Sequence, residues 1–197
     1  MPIKTIFITL AIIFQLAGFV PYYINICKKT ARPHLFSWTT WGILPGLGFV
    51  LSYSKGGGEG SWVFAMEMAL CLGIAVYALF KGEKNIKHID WITFISAVII
   101  IIFYIFTRNA VLSVVLAATI DFIGYFPTIR KSYLKPHDEP ALGYFLAFLS
   151  FLFSVGALQA YNFVTLFYPL TLIATNGIFT SFLLIRRRLI GLVESRI

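Results

Sequence analysis

The chain has 197 residues, of which 59% are hydrophobic and only 12% are charged. A soluble domain carries about 25% charged residues, so this composition excludes a single water-soluble core and predicts that lipid covers part of the surface. The net charge of +8 does not indicate a nucleic-acid partner, because the Lys and Arg residues lie only between apolar segments. No CxxC, HExxH or Cys/His cluster predicts a disulfide framework, a metal site or a cofactor.

Seven stretches meet or approach the roughly 20 apolar residues that a transmembrane helix needs. Polar breaks rich in Lys, Arg, Gly and Pro separate them, and the last stretch is predicted to stop at Arg186. We therefore predict an all-α membrane protein with seven transmembrane helices in one membrane domain, residues 1–197. In chain order, the predicted helices cover about residues 5–27, 35–54, 62–80, 88–107, 110–133, 141–161 and 163–185.

The distribution of basic residues predicts the orientation of the chain. Thirteen of the 16 Lys and Arg residues fall after predicted helices one, three, five and seven, and three fall on the opposite side. Short loops rich in Lys and Arg stay in the cytoplasm. The sequence thus predicts a multi-pass protein, in the inner membrane if the source is prokaryotic, with its N-terminus outside and its C-terminus in the cytoplasm. The two sets are Lys28, Lys29, Arg32, Lys81, Lys84, Lys87, Arg130, Lys131, Lys135, Arg186, Arg187, Arg188 and Arg196, against Lys4, Lys55 and Arg108.

A short motif occurs in both the first and the fifth predicted helix. Residues 18–21 are Gly-Phe-Val-Pro and residues 124–127 are Gly-Tyr-Phe-Pro, 106 residues later. Three residues before each glycine lies a polar side chain at membrane depth, Gln15 and Asp121. After each proline come basic residues, a charged residue followed by another proline, and then the next helix. The two segments are therefore interpreted as copies of one unit.

The motif predicts an internal repeat of three helices. Repeat one would cover about residues 5–80, a linker helix about 88–107, and repeat two about 110–188. A three-helix unit crosses the membrane an odd number of times, so a fourth helix is needed to place the second copy parallel to the first. The predicted architecture is two parallel three-helix bundles joined by a linker helix.

This pattern resembles the PQ-loop family, which includes the SWEET sugar transporters, the lysosomal cystine and cationic amino-acid exporters and the KDEL receptor. The resemblance covers nearly the whole chain in architecture but only short motifs in sequence, and the family's Pro-Gln pair is replaced by Pro21-Tyr22 and Pro127-Thr128. It implies the same bundle arrangement and an N-terminus outside the cytosol. Asn176 resembles the substrate-contacting asparagine on the seventh helix of SWEETs, and Pro45 fits a proline of their second helix.

Five residues are candidates for substrate binding or proton coupling, because polar groups in hydrocarbon are costly and usually face a cavity. Asp121 lies near the middle of helix five, at a depth where the sequence offers no Lys or Arg, and it could exchange a proton. Asp121 could instead form a purely structural pair with another polar side chain. Glu67 could instead extend its carboxyl group to the outer membrane surface. Gln15 could hydrogen-bond to Asp121, although for Gln15 and Asn176 an ordinary interhelical bond is equally compatible. Trp41 could cover a cavity or anchor the helix at the interface.

Three prolines lie inside predicted transmembrane helices, namely Pro21, Pro45 and Pro127. Each removes a backbone hydrogen bond and bends its helix. The matched positions of Pro21 and Pro127 favour a role as hinges that let a bundle open and close. A static kink that aids packing is the alternative for any single proline.

These features favour a transporter that moves a small polar solute, neutral or cationic, by alternating access and with proton coupling as an option. The alternative is a non-transporting receptor or sensor with the same fold, against which the absence of basic residues in the predicted core counts. No nucleophile with its base and no phosphate-binding loop indicates an enzyme. The expected partners are the lipid bilayer and the solute, and homo-oligomerisation is left open.

Overall fold

Seven α-helices follow the seven predicted apolar stretches in the computed structural model, which describes residues 2–29, 32–82, 86, 88–137 and 139–194. A 3-10 turn, Gly58–Ser61, precedes the third helix. These described residues form no β-strand, as expected in a lipid environment where a helix satisfies its own backbone groups. The helices are α1 (Pro2–Cys27), α2 (Leu35–Ser54), α3 (Trp62–Lys81), α4 (His88–Thr107), α5 (Ala110–Leu134), α6 (Ala141–Ala157) and α7 (Phe163–Glu194).

The helix lengths support a multi-pass membrane protein. Six helices in the described part of the chain are long and apolar enough to cross a bilayer, and α6 is a shorter apolar helix of 17 residues. At about 1.5 Å per residue, α6 is about 26 Å long, close to the lower limit for the hydrocarbon core. The prediction of an all-helical membrane protein is confirmed at this level.

Two short polar breaks end one helix and begin the next because each contains a capping asparagine. The side chain of Asn109 accepts a hydrogen bond from the Leu112 amide at 3.0 Å, before α5. That of Asn162 accepts from the Val164 and Thr165 amides at 3.1 Å, at the start of α7. Such bonds satisfy backbone donors that a helix N-terminus leaves free.

Two predicted helix ends are wrong. Helix α6 stops at Ala157 rather than near residue 161, because Leu158 to Asn162 form the connection that caps α7. Helix α7 does not stop at Arg186 but continues to Glu194. Arginine is a good helix former, so the basic run marks the end of the apolar segment and not the end of the helix.

The helices pack in a regular set of pairs. Helix α2 lies along α3, and α6 lies along α7; α1 also contacts α3, and α5 also contacts α7. Between these groups, α1 packs extensively on α6 and α2 contacts α5, while α4 lies against α2 and α5. The shared core contains Leu44 and Leu51 of α2, Val114 and Ala118 of α5, and Tyr168 of α7.

The glycines of α2 allow close helix packing. A Cβ on Gly42 would lie 2.7 Å from Leu72, and one on Gly46 would lie 2.7 Å from Met68, so both glycines face α3. A Cβ on Gly48 would lie 2.6 Å from the ring of Tyr168 on α7. Small residues that let helices approach closely are common in membrane proteins.

The loops gather at two ends of the helix bundle. At the N-terminal end, defined by Lys4 and the connections 55–61 and 158–162, the Gln159 amide donates to the Gly57 carbonyl at 3.0 Å. The Lys4 ammonium donates to the Leu158 carbonyl at 2.7 Å in the same place. The C-terminal end comprises the described parts of three connections, residues 28–29 and 32–34, residues 82 and 86, and residues 134–137 and 139–140. There His34 lies 3.4 Å from Asp90.

We predict that Gly48→Ala destabilises the protein. The new methyl group would overlap the buried ring of Tyr168, and overpacking costs about 1–3 kcal/mol, which outweighs the gain in helix propensity of about 1 kcal/mol. Thermal unfolding in detergent should show a lower midpoint. The matched control is Gly124→Ala, whose Cβ would have its nearest neighbour at 3.7 Å. Equal midpoints for the two variants would contradict this packing.

Candidate functional site

Polar residues lie on the core-facing sides of three helices. On α3, Glu67 and Cys71 are four residues apart; on α5, Asp121 and Tyr125 have the same spacing. Residues three or four apart share one face of a helix. Tyr168 of α7 packs its ring on Phe64, three residues before Glu67, and Tyr125 donates a hydrogen bond to Asn176, two turns after Tyr168 on the same helix. The side chains that face this region between α3, α5 and α7 are Glu67, Cys71, Asp121, Tyr125 and Tyr168. We call these five residues the polar cluster.

The two carboxyl groups of the cluster come from different helices. Asp121 is 6% exposed. Glu67 is half-buried, but its Oε2 atom is shielded from solvent and has no hydrogen-bond partner among the described residues. Glu67 lies on α3 and Asp121 on α5, and both helices contact α2. The two acidic residues that the sequence singled out separately thus face the same part of the helix bundle.

Tyr168 was not among the predicted site residues. Its ring packs against Phe64, with centroids 5.5 Å apart. The residue is 1% exposed, and its hydroxyl has no hydrogen-bond partner in the described part of the chain. Most buried polar groups are paired, so an unpaired hydroxyl beside two acidic groups is unusual. Nothing in the local sequence of α7 indicates this position; only the packing against α2 and α3 does.

Asn176 contacts the cluster through Tyr125. The Tyr125 hydroxyl donates to Asn176 Oδ1 at 3.1 Å, and Asn176 Nδ2 donates to the Leu172 carbonyl at 2.8 Å. Both ends of the Asn176 amide are therefore paired. The spacing of four residues from Asp121 is the signal that could have identified Tyr125 from the sequence.

Trp41 lies at the seam between α2 and α5. Its indole nitrogen is the nearest atom to the Cβ position of Gly124, at 3.7 Å, and Gly124 follows Asp121 by three residues. The ring of Trp41 meets Trp38 edge-on at 5.5 Å, and the Trp38 indole donates to the Tyr22 hydroxyl at 3.2 Å. Trp41 thus lies near Gly124, about one turn along α5 from Asp121.

Gln15 does not join the cluster. It is 2% exposed, and neither of its side-chain polar atoms has a partner among the described residues, so the predicted hydrogen bond to Asp121 is wrong. One turn earlier, the Ala11 carbonyl accepts a bond from Ser150 of α6 at 2.9 Å. Because α1 packs chiefly on α6, that helix pairing draws this face of α1 toward α6.

The prolines lie within continuous helices. Pro21 is exposed on α1 and Pro45 is buried in α2. The backbone at Pro127 is helical in α5, but its side chain is outside the described residues. A further proline, Pro169, lies buried in α7 next to Tyr168. It is not one of the three predicted hinge prolines.

Two apolar grooves open on the outside of the bundle. One, of about 320 Å³, lies between α1 and α3, and the other, of about 580 Å³, lies between α6 and α7. Neither is lined by Asp121 or Glu67. Within the described ranges, no group of three or more His, Cys, Asp or Glu residues could hold a metal ion.

Comparisons of the chain with known protein families, with curated proteins and with solved structures gave no match.

Proposed function

We propose that this protein transports a small polar solute across the membrane by alternating access, with the polar cluster as the substrate or proton site. The observation that carries the proposal is Asp121, a carboxyl group buried halfway along a transmembrane helix with no basic partner among the described residues. Such a group is costly in hydrocarbon and usually marks a solute or proton pathway. No observation favours the receptor alternative in the same way.

We also propose that the helices form two parallel three-helix bundles, α1–α3 and α5–α7, with α4 as the linker, as in the PQ-loop family. The helix pairs support it: α2 lies on α3 as α6 lies on α7, and α1 contacts α3 as α5 contacts α7. One close contact is also repeated. In the first bundle Gly42 contacts Leu72, and in the second Phe148 contacts Gly177. Phe148 follows Gly42 by 106 positions and Gly177 follows Leu72 by 105, close to the offset of the repeated motif. The large and small partners are exchanged between the copies.

In this proposal the bundles rock against each other around Pro21, Pro45 and Pro127. The α1–α6 and α2–α5 contacts would then be the surfaces that change. They differ in packing: on one, Gly18 lies against Gly143 and Leu146; on the other, the bulky Trp41 stands beside Gly124. The α2–α5 contact is less extensive than the α1–α6 contact. It is therefore the side from which a solute could reach Asp121.

We predict an external N-terminus and a cytoplasmic C-terminus, because thirteen basic residues fall on one side of the predicted membrane and three on the other. A reporter inserted at Gly58 and one fused after Arg196 should report opposite sides. Both reporters on the same side would contradict the predicted number of crossings. Arg196 itself lies outside the described residues.

Transport is tested with the purified full chain in proteoliposomes. A panel of sugars, neutral amino acids and small ammonium compounds is offered, with and without a pH gradient. The proposal expects saturable uptake of at least one solute above protein-free vesicles. A solute that stabilises the detergent-solubilised protein against heat but never enters vesicles would favour the receptor alternative.

A further inference from the structure

The polar cluster carries negative and neutral groups but no positive one. Its titratable members are Glu67, Cys71, Asp121, Tyr125 and Tyr168, and Tyr144 of α6 lies near Tyr125. The basic residues lie elsewhere in the described structure: Lys4 contacts the 158–162 connection, and Arg186 and Arg187 bind carbonyls of residues 133–139. From α1, the titratable Tyr23 faces Cys71 and donates a hydrogen bond to the Leu70 carbonyl at 2.7 Å, and from α2 the non-titrating Trp41 lies beside Gly124.

Asp121 is buried and Glu67 is half-buried with its Oε2 atom shielded from solvent, so without a counter-ion the two carboxylates cannot both stay charged at low cost. Removing a charge from water costs several kcal/mol unless a partner offsets it, and like charges at short range repel each other strongly in a low-dielectric interior. A carboxyl pair of this kind therefore retains a proton or binds a cation. One positive charge beside the two carboxyl groups would offset this cost, and none of the described side chains supplies it.

The hydroxyl of Tyr168 is a second and independent indication of a ligand. Tyr168 is 1% exposed, and its hydroxyl has no hydrogen-bond partner among the described residues. Its ring packs on Phe64, three residues before Glu67 on the same face of α3. Its ring is held by Phe64 and by the close approach of Gly48, so the position of the hydroxyl is fixed by packing. A bound group with N–H donors would satisfy this oxygen and a carboxylate together.

We propose that Glu67, Asp121 and Tyr168 bind the ammonium group of a singly charged organic cation, and that this cation and a proton compete for the same carboxyl pair. The inference rests on the proposed transport function and narrows its substrate class. When the pair holds one proton, binding of the cation releases that proton, so the charge of the site is unchanged.

The competition can be measured without transport. A hydrophobic carbodiimide reacts with protonated carboxyl groups in membranes, and mass spectrometry locates the product. The purified full chain in detergent is labelled from about pH 6 to about pH 8 with methylammonium, choline or ethanolammonium present, each of which carries one positive charge over this range. Dimethylbutanol, the uncharged isostere of choline, and glucose serve as control solutes. Labelling is expected at Glu67 or Asp121, and at least one ammonium compound should protect these residues while neither control does.

The pH dependence separates competition from simple blocking. If one proton and one cation exclude each other, the concentration needed for half-protection should rise by up to about tenfold for each unit of decreasing pH. Protection that does not depend on pH would overturn the shared site. Absence of protection by all three ammonium compounds, or equal protection by glucose, would overturn the cation site.

Tyr168→Phe tests the hydroxyl. Removing an unpaired buried hydroxyl should not destabilise the fold, so labelling without ligand and the unfolding midpoint should match those of the unmodified protein, while protection by the ammonium compound weakens several-fold. Tyr77→Phe, a half-buried tyrosine elsewhere on α3, is the control and should leave protection unchanged. Equal protection in both variants would remove Tyr168 from the site.

The two proposals can fail separately. Uptake of a neutral solute together with no ammonium protection would leave the transporter and exclude the cation site. Ammonium protection with no uptake of any compound would leave the binding site and exclude transport.

Discussion

Oxidation of a Gly18→Cys, Leu146→Cys variant is expected to abolish solute uptake, and reduction to restore it. A Cβ on Gly18 of α1 would lie 3.6 Å from the Cβ of Leu146 on α6, and disulfides join Cβ atoms about 3.5–4.5 Å apart. The bond would fix the α1–α6 contact, which is one of the two surfaces that must move if the bundles rock against each other. Uptake of the substrate into proteoliposomes, before and after a reducing agent, measures the effect.

The control places a disulfide within one proposed bundle. A Cβ on Gly46 of α2 would lie 3.9 Å from that of Met68 on α3, so Gly46→Cys, Met68→Cys should form a bond of similar geometry without joining the bundles. Both variants are made in a background in which the free cysteines Cys27 and Cys71 are replaced by Ser and Ala. The uptake of this background is the reference for both, because Cys71 belongs to the polar cluster. Full uptake by the oxidised Gly18–Leu146 variant would contradict alternating access across α1 and α6. Equal loss in both variants would mean that the disulfide, and not its place, causes the defect.

Asp121→Asn is expected to have the largest effect of any single polar substitution, ahead of changes at Glu67 or Asn176. The variant keeps the shape of the side chain but removes its charge and its ability to exchange a proton. It should insert and fold, because no basic partner in the described structure loses a bond. If transport is proton-coupled, uptake should no longer respond to a pH gradient, and it should fall at least about tenfold under that gradient.

Asp90→Asn is the control for Asp121→Asn. Asp90 is also an acidic residue on a transmembrane helix, but it lies in the first turn of α4. This turn is at the C-terminal end of the helix bundle, where Asp90 pairs with His34. Its substitution should leave the pH response of uptake unchanged. An unaltered pH profile in correctly inserted Asp121→Asn would refute proton coupling through Asp121, while the helical architecture would stand.

The sequence predicted where the helices are because lipid imposes a local rule. Every backbone group in the hydrocarbon must be satisfied within its own helix, so a long apolar run is itself a helix, and the bounds of α2 and α4 agree with the predicted ranges. The errors occur where this rule ends. At the end of α7, outside the apolar run, the helix continues because arginine is a good helix former, and Arg187 binds the carbonyls of Pro136 and Glu139.

The sequence also identified Asp121 and Glu67 as unusual residues, because an acidic side chain inside an apolar run is visible without any structure. Their proximity and the part played by Tyr168 depend on which faces of α3, α5 and α7 meet. Gln15 shows the same limit: its depth matches that of Asp121, but α1 packs on α6 and the predicted bond is absent. Helix position follows from local hydrophobicity, whereas the pairing of side chains follows from contacts between helices distant in the chain, which glycine gaps and ring packing select.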